Sequence, residues 1–156
     1  MNYDLLEADL RRDEGSRDRR YQDTVGKWTI GYGHNIDADL HYPYTLADEP
    51  LTEGQKLTLL RRDIAAAVAA LDEYANWWRA MEEPRQRVLA NMAFNMGWGT
   101  LSQFKNTLEA MHFAKYDLAA MGMRASKWYQ QVGGEFEAPG VPARGERLAR
   151  MMERGT

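Results

Sequence analysis

The sequence predicts an α+β fold, mainly helical, with one small sheet near its start. Three observations predict it. Beyond residue 52, apolar residues recur at steps of three and four, the period of a buried helix face. Residues 21–32 are rich in aromatic and β-branched types and are interrupted by a glycine-bearing turn, the pattern of a hairpin. Helical segments dominate the remainder, and no second sheet is evident. At 156 residues the chain, 1–156, is expected to form a single domain with enough material for a real core.

The elements follow in order. Tyr3 to Asp13 carries Leu5, Leu6, Ala8 and Leu10 at helical spacing, and Gly15 suits a stop just past Glu14. Tyr21 to Asp23 and Lys27 to Tyr32 are the arms of the hairpin, with Thr24-Val25-Gly26 as its turn and a short third strand near 31–35. Residues 35–51, with Pro43 and Pro50, read as loop. Thr52 and Gln55 form a capping box. From there to about Arg79 a single face runs through Leu57, Leu60, Ile64, Val68, Leu71, Tyr74 and Trp78. At about 1.5 Å per residue this helix would be roughly 40 Å long. Pro84 suits the start of the next helix, and Val88 to Met96 is apolar nearly all round, so it is expected to be buried. Further helices are expected at 101–112, 115–124 and 142–154, with a loop bounded by Gly133-Gly134 and Pro139-Gly140.

Composition narrows the function classes. The net charge of −3 lacks the basic footprint of a nucleic-acid binder. No run approaches the length of a membrane span, so no stable membrane association is expected. The absence of cysteine fits folding in a reducing compartment, and the charged first dozen residues leave no room for a signal peptide. The expectation is a protein that stays in the cytoplasm where it is made, without cofactor. Three histidines, with no H-x-x-x-H spacing, give no metal site.

The chemistry-bearing residues concentrate at the start. Hydrolysing a glycosidic bond needs one carboxylic acid to protonate the leaving oxygen. It also needs a carboxylate on the opposite face of the sugar. Glu14 and Asp23 supply such a pair, and Thr29 supplies a hydroxyl to hold water. If Gly26 lies at the hairpin apex, Asp23 and Thr29 fall opposite each other and share a sheet face. The end of a helix disfavours a carboxylate, the bias that a general acid needs. Two acids nine apart carry no signal alone, since most acids are surface charges.

The surrounding motif changes that balance. Glu14, eight residues, Asp23, five residues, Thr29, then Ile30-Gly31-x-Gly33-His34, resembles the phage-type lysozymes, glycoside hydrolase family 24, the group that includes those of the T-even bacteriophages. The resemblance continues through Asp63, Asn91 to Gly97, Phe104 to Leu108, Ser126 to Tyr129 and Arg144, and so covers nearly the whole chain. It implies a two-lobed fold: a helix at 1–13 packing on the C-terminal lobe, a small sheet lobe at 14–52, a connecting helix at 53–80 and a helical lobe at 81–156. It implies that Glu14 is the proton donor, Asp23 the second carboxylate and Thr29 the holder of the attacking water, with inversion at the sugar. It pairs His34 with Asp63, brings Arg144 towards Glu14, and places Asn35, Phe94 and Thr107 at substrate. Asn95, Trp128 and Tyr129 are further candidates for lining a cleft. Asn35 and Gly122 depart from the family's usual residues.

The implied function is a peptidoglycan muramidase, an endolysin cleaving the β-1,4 bond between N-acetylmuramic acid and N-acetylglucosamine. It is expected to act as a monomer, reaching the wall in the periplasm after a holin has permeabilised the membrane. A lytic transglycosylase is the rival in chemistry, and a non-catalytic wall-binding or virion module the rival in class. Asp23 and Thr29 argue against the first, and intact Glu14 and Asp23 against the second.

Overall fold

The computed structural model describes residues 1–156. It is mainly helical, with two small antiparallel sheets. The chain divides into two compact units, one formed by Tyr3–Ala66 and the other by Ala67–Thr156 with Met1–Asn2. No helix is long and apolar enough to cross a membrane.

The first unit opens with α1 (Tyr3–Glu14), which buries Leu6 and Leu10 and leaves Leu5 exposed. Strands β1 (Arg17–Gln22), β2 (Trp28–Gly31) and β3 (His34–Asn35) follow in the order β1-β2-β3. The sheet buries Ile30 against Leu51 and Leu59, with Ile36, Tyr42 and Tyr44 packed around them. Trp28, two residues earlier on the same strand, stays partly in solvent near the hairpin turn. The segment after β3 is loop, as expected, apart from a 3₁₀ turn at Leu46–Asp48. Helix α2 (Glu53–Tyr74) begins with the expected capping box. The Thr52 N–H donates to Gln55 Oε1 at 2.8 Å, and the Gln55 N–H donates to Thr52 Oγ1 at 3.2 Å.

α2 is shorter than its sequence pattern suggests. It ends at Tyr74, and Ala75 leaves helical geometry at φ −139°, ψ 42°. The chain then tightens into a 3₁₀ turn at Asn76–Ala80. Asp72 closes this turn, accepting the Trp78 indole N–H and two bonds from Arg79. Trp78 is thereby fully buried, whereas Tyr74, predicted on the buried face, is exposed and stacks on Trp98 at 5.5 Å.

The second unit is built from α3 (Glu83–Leu101), α4 (Lys105–His112), α5 (Tyr116–Arg124), α6 (Lys127–Gln131) and α7 (Arg144–Arg154). Pro84 lies in the first turn of α3, and the apolar run Val88–Ala93 is buried, with Asn91 enclosed among it. Gly97 interrupts α3 with a left-handed φ of 72°. The sequence pattern does not predict α6, because five residues are too short to show a period. The segment expected to be a loop contains a small hairpin, β4 (Phe136–Ala138) with β5 (Val141–Pro142).

One buried carboxylate ties α5, α6 and α7. Glu146, 6% exposed, accepts two bonds from Arg124 at 2.9 and 3.1 Å, one from Arg150 at 2.8 Å and one from the Tyr129 hydroxyl at 2.9 Å. The Arg124 bonds, which favour the charged form, outweigh burial, and Arg150 and Tyr129 add to them, so the Glu146 pKa is held down at about 2. Burial and then the Glu146 carboxylate push Tyr129 up to about 12.

Candidate active site

Asp23 organises the hairpin turn. Its N–H donates to Lys27 O at 2.9 Å, and its carbonyl accepts the Gly26 N–H at 3.0 Å. Its side chain bonds forward as well: Oδ1 accepts the N–H groups of Val25 at 3.0 Å and Lys27 at 2.9 Å. This is an Asx turn, the arrangement for which a short acidic side chain is suited. Both protein donors are on Oδ1, leaving Oδ2 for a ligand or water.

The register differs from the one expected. Thr29 lies opposite Tyr21, not Asp23, and pairs with Asn35 on its other side. Asp23 is opposite Lys27, because Val25 and Gly26 at the apex make a tighter turn than a loop centred on Gly26. Asp23 and Thr29 are therefore diagonal neighbours. Diagonal positions still share a face, at about 7–8 Å between backbones rather than about 5 Å. Thr29 is buried, and its hydroxyl donates to Lys27 O at 3.1 Å. Its oxygen lone pairs remain as acceptors.

Glu14 ends α1, where the chain turns through Gly15 at φ 66°. Its half-buried carboxylate lies against Gly33, in the turn between β2 and β3. A methyl group at Gly33 would stand 2.8 Å from Glu14 Oε2.

His34 is buried behind this turn. Its Nδ1 meets Asp63 Oδ2 at 2.8 Å, as expected. Its Nε2 meets a second carboxylate, Asp39 Oδ2, at 3.0 Å, and Tyr42 stacks on the ring at 5.7 Å. Arg62 also reaches Asp39. Burial works against the Asp39 charge, but the His41 N–H, Arg62 and His34 outweigh it and hold its pKa below the usual value. Sequence spacing gives no sign of Asp39, since a loop residue has no period to betray it. Asn35 is partly exposed, and its Oδ1 caps the following loop by accepting the Ala38 N–H at 3.2 Å.

Glu14, Asp23, Thr29, His34, Asn35 and Asp63 thus belong to the sheet-bearing unit, whereas Phe94, Thr107 and Arg144 belong to the helical one. Within the helical unit Arg144 is buried, and both its Nε and Nη2 donate to Asn91 Oδ1, at 3.0 and 2.8 Å. In the sequence Asn91 stands out only as part of a motif; as the acceptor for Arg144 it explains a polar residue inside an apolar helix. Phe94 is partly exposed. Thr107 is buried where α4 meets α5, and its hydroxyl presses on Gly122. Trp128 is buried and donates its indole N–H to Asn95 Oδ1 at 2.9 Å.

Two carboxylates and a hydroxyl held on fixed backbone, in this order along the chain, are the equipment of an acid–base hydrolase. Similarity to known proteins identifies which one. The phage lysozyme family model matches residues 11–147. The chain is 34% identical to the pre-baseplate central spike protein Gp5 of Enterobacteria phage T4 over 80% of its own length, spanning a quarter of that protein. It is 26% identical to probable T4-type lysozyme 2 of Dictyostelium discoideum, covering 94% of this chain and 92% of that one. It is 28% identical to peptidoglycan hydrolase gp36 of Pseudomonas phage phiKMV, covering 83% of this chain and 14% of that one. The chain belongs to the phage lysozyme family, and so is a glycoside hydrolase of the lysozyme class, a peptidoglycan-cleaving enzyme.

Proposed function

We propose that this protein is an inverting muramidase that cleaves the β-1,4 bond between N-acetylmuramic acid and N-acetylglucosamine, and that its role is host lysis. The observation that carries the reading is the turn around Asp23. One oxygen of that carboxylate is held by two backbone N–H groups, and the other is left for a water, diagonal to the Thr29 hydroxyl.

The steps are these. Glu14 gives its proton to the glycosidic oxygen as the bond to the anomeric carbon breaks. Thr29, its own proton committed to Lys27 O, accepts a hydrogen bond from the attacking water and orients it; that hydrogen stays on the new hydroxyl group. Asp23 accepts the other proton as the water adds to the opposite face. The family resemblance assigns Arg144 to the same centre and Asn35, Phe94 and Thr107 to sugar contacts.

Two variants and one spectrum test this. Glu14→Gln and Asp23→Asn keep the shape of each side chain, and each should lower hydrolysis of purified peptidoglycan by about 10²–10⁴-fold, the usual range for general acid–base catalysis. NMR of a short glycan oligomer, read before mutarotation, should show the α-anomer first. An initial β-anomer would replace inversion by a covalent route through Asp23. Anhydro-sugar products would indicate a transglycosylase.

A second reading concerns the setting rather than the chemistry. The similarity to a phage spike protein favours a lysozyme carried on the virion. Immunodetection in purified particles, as against the lysate alone, distinguishes it from a free endolysin that a holin releases. As an endolysin the protein is proposed to act as a monomer, made in the host cytoplasm.

A further inference from the structure

The contact between Glu14 and Gly33 bears on how the acid is aimed. A glutamate at the end of a helix has three side-chain torsions and would swing freely in water. Here one carboxylate oxygen sits where a side chain at Gly33 would begin: a Cβ there would lie 2.8 Å from Oε2, 3.4 Å from Cδ and 3.6 Å from Cγ. Real Cβ atoms essentially never approach another heavy atom within 3.0 Å. The carboxylate therefore occupies space that only glycine leaves open. Gly33 also has a φ of 74°, so its backbone is turned in a way that other residues adopt only with strain.

We propose that Gly33 is a positioning residue for the acid: the bare backbone of the β2–β3 turn is a wall that limits where the Glu14 carboxylate can stand. The inference rests on Glu14 being the general acid. The turn is itself anchored, since His34, the next residue, is held by Asp63 and Asp39. The wall behind the acid is thus tied to α2 and does not drift with the hairpin tip. A displacement of about 1 Å in a reacting group is enough to cost about 10²-fold in rate.

Gly31 provides the matched control. It too has a left-handed φ, 64°, but a Cβ there meets only Lys56, at 3.6 Å or more, an ordinary contact. Gly31→Ala and Gly33→Ala therefore both put alanine at a left-handed φ and differ in whether they strike Glu14. The expected results are a fall in kcat of tenfold or more for Gly33→Ala with KM little changed, and a near-normal kcat for Gly31→Ala. The ¹³C resonance of the Glu14 carboxyl, assigned by its loss in Glu14→Gln, should move in Gly33→Ala and stay in place in Gly31→Ala.

A stability cycle covers the case in which Gly33→Ala folds poorly. Any loss in Tm beyond that of Gly31→Ala should disappear in a Glu14→Ala background, where the obstructing carboxylate is gone. An excess that persists without the Glu14 side chain, or equal kcat values for the two alanine variants, would overturn the proposal. Failure of the acid assignment is read separately: Glu14→Gln would then retain activity, whatever Gly33→Ala does.

Discussion

Replacing Glu146 by glutamine should cost stability at neutral pH, and the cost should vanish in acid. Glu146 binds Arg124, Arg150 and Tyr129 within the helical unit, and its side chain is 8% exposed, so water screens it little. Its pKa falls from 4.5 to about 2 on folding. Each tenfold change in proton affinity corresponds to about 1.4 kcal/mol, which makes the ionised network worth about 3 kcal/mol. That is a large part of the roughly 5–15 kcal/mol that holds a domain of this size together. Because the folded pKa is depressed, the contribution is complete above the unfolded value of 4.5 and is lost as pH falls through about 2. Urea unfolding, followed by tryptophan fluorescence at a series of pH values, reads this directly. At pH 7 Glu146→Gln should lose about 3 kcal/mol, and near pH 2 the two proteins should converge. A loss that stays constant across the series would refute the charge argument and leave only packing. Glu153→Gln is the control: its carboxylate also meets Arg124, but at 37% exposure it should cost under about 1 kcal/mol.

Three other outcomes can be measured on the same protein. Tyr129 should ionise near 12 in an ultraviolet titration, and Glu146→Gln should lower that value, because a neighbouring negative charge no longer opposes the phenolate. Asp39→Asn should destabilise the sheet-bearing unit at neutral pH, with a loss that fades as pH drops below the ordinary carboxylate value of 3.8; a loss that stays undiminished below that value would contradict the lowered pKa. Gly122→Ala drives a methyl group into Thr107 Oγ1, so thermal or urea unfolding should show a loss of about 1–3 kcal/mol, as for overpacked cores, and Thr107→Ala should restore most of it.

The parts of this fold with a period or a cap are legible in the sequence. α1, its stop at Gly15, the capping box at Thr52 and the buried centre of α3 all fall where pattern and capping chemistry put them. The extent of α2 is not legible. Its apolar face continues past Tyr74, and the break at Ala75 comes from a tertiary demand, the closing of Asp72 on Trp78 and Arg79. At the site, the pairing of His34 with Asp63 can be read from the family motif, whereas Asp39 arrives from a loop whose path no local rule predicts. The register of Asp23 and Thr29 departs from the one that an apex centred on Gly26 implies. The side-chain bonds of Asp23 to Val25 and Lys27 decide the turn instead, and a hairpin's register follows its turn.

Asp23 shapes the fold, and in the proposed reaction it also handles a proton, so its two oxygens divide that labour. A truncation to alanine would remove both at once: the loop would lose the anchor for two N–H groups, and the resulting inactivity would say nothing about proton transfer. Asparagine keeps the anchoring oxygen and alters only the other. The same bonds deprive this carboxylate of rotameric freedom, since turning it would release Val25 and Lys27 together. Any accommodation between this group and an incoming glycan must come from the hairpin tip bending as a piece, with its backbone, and the stiffness of residues 22–28 sets how closely the second carboxylate can follow its substrate.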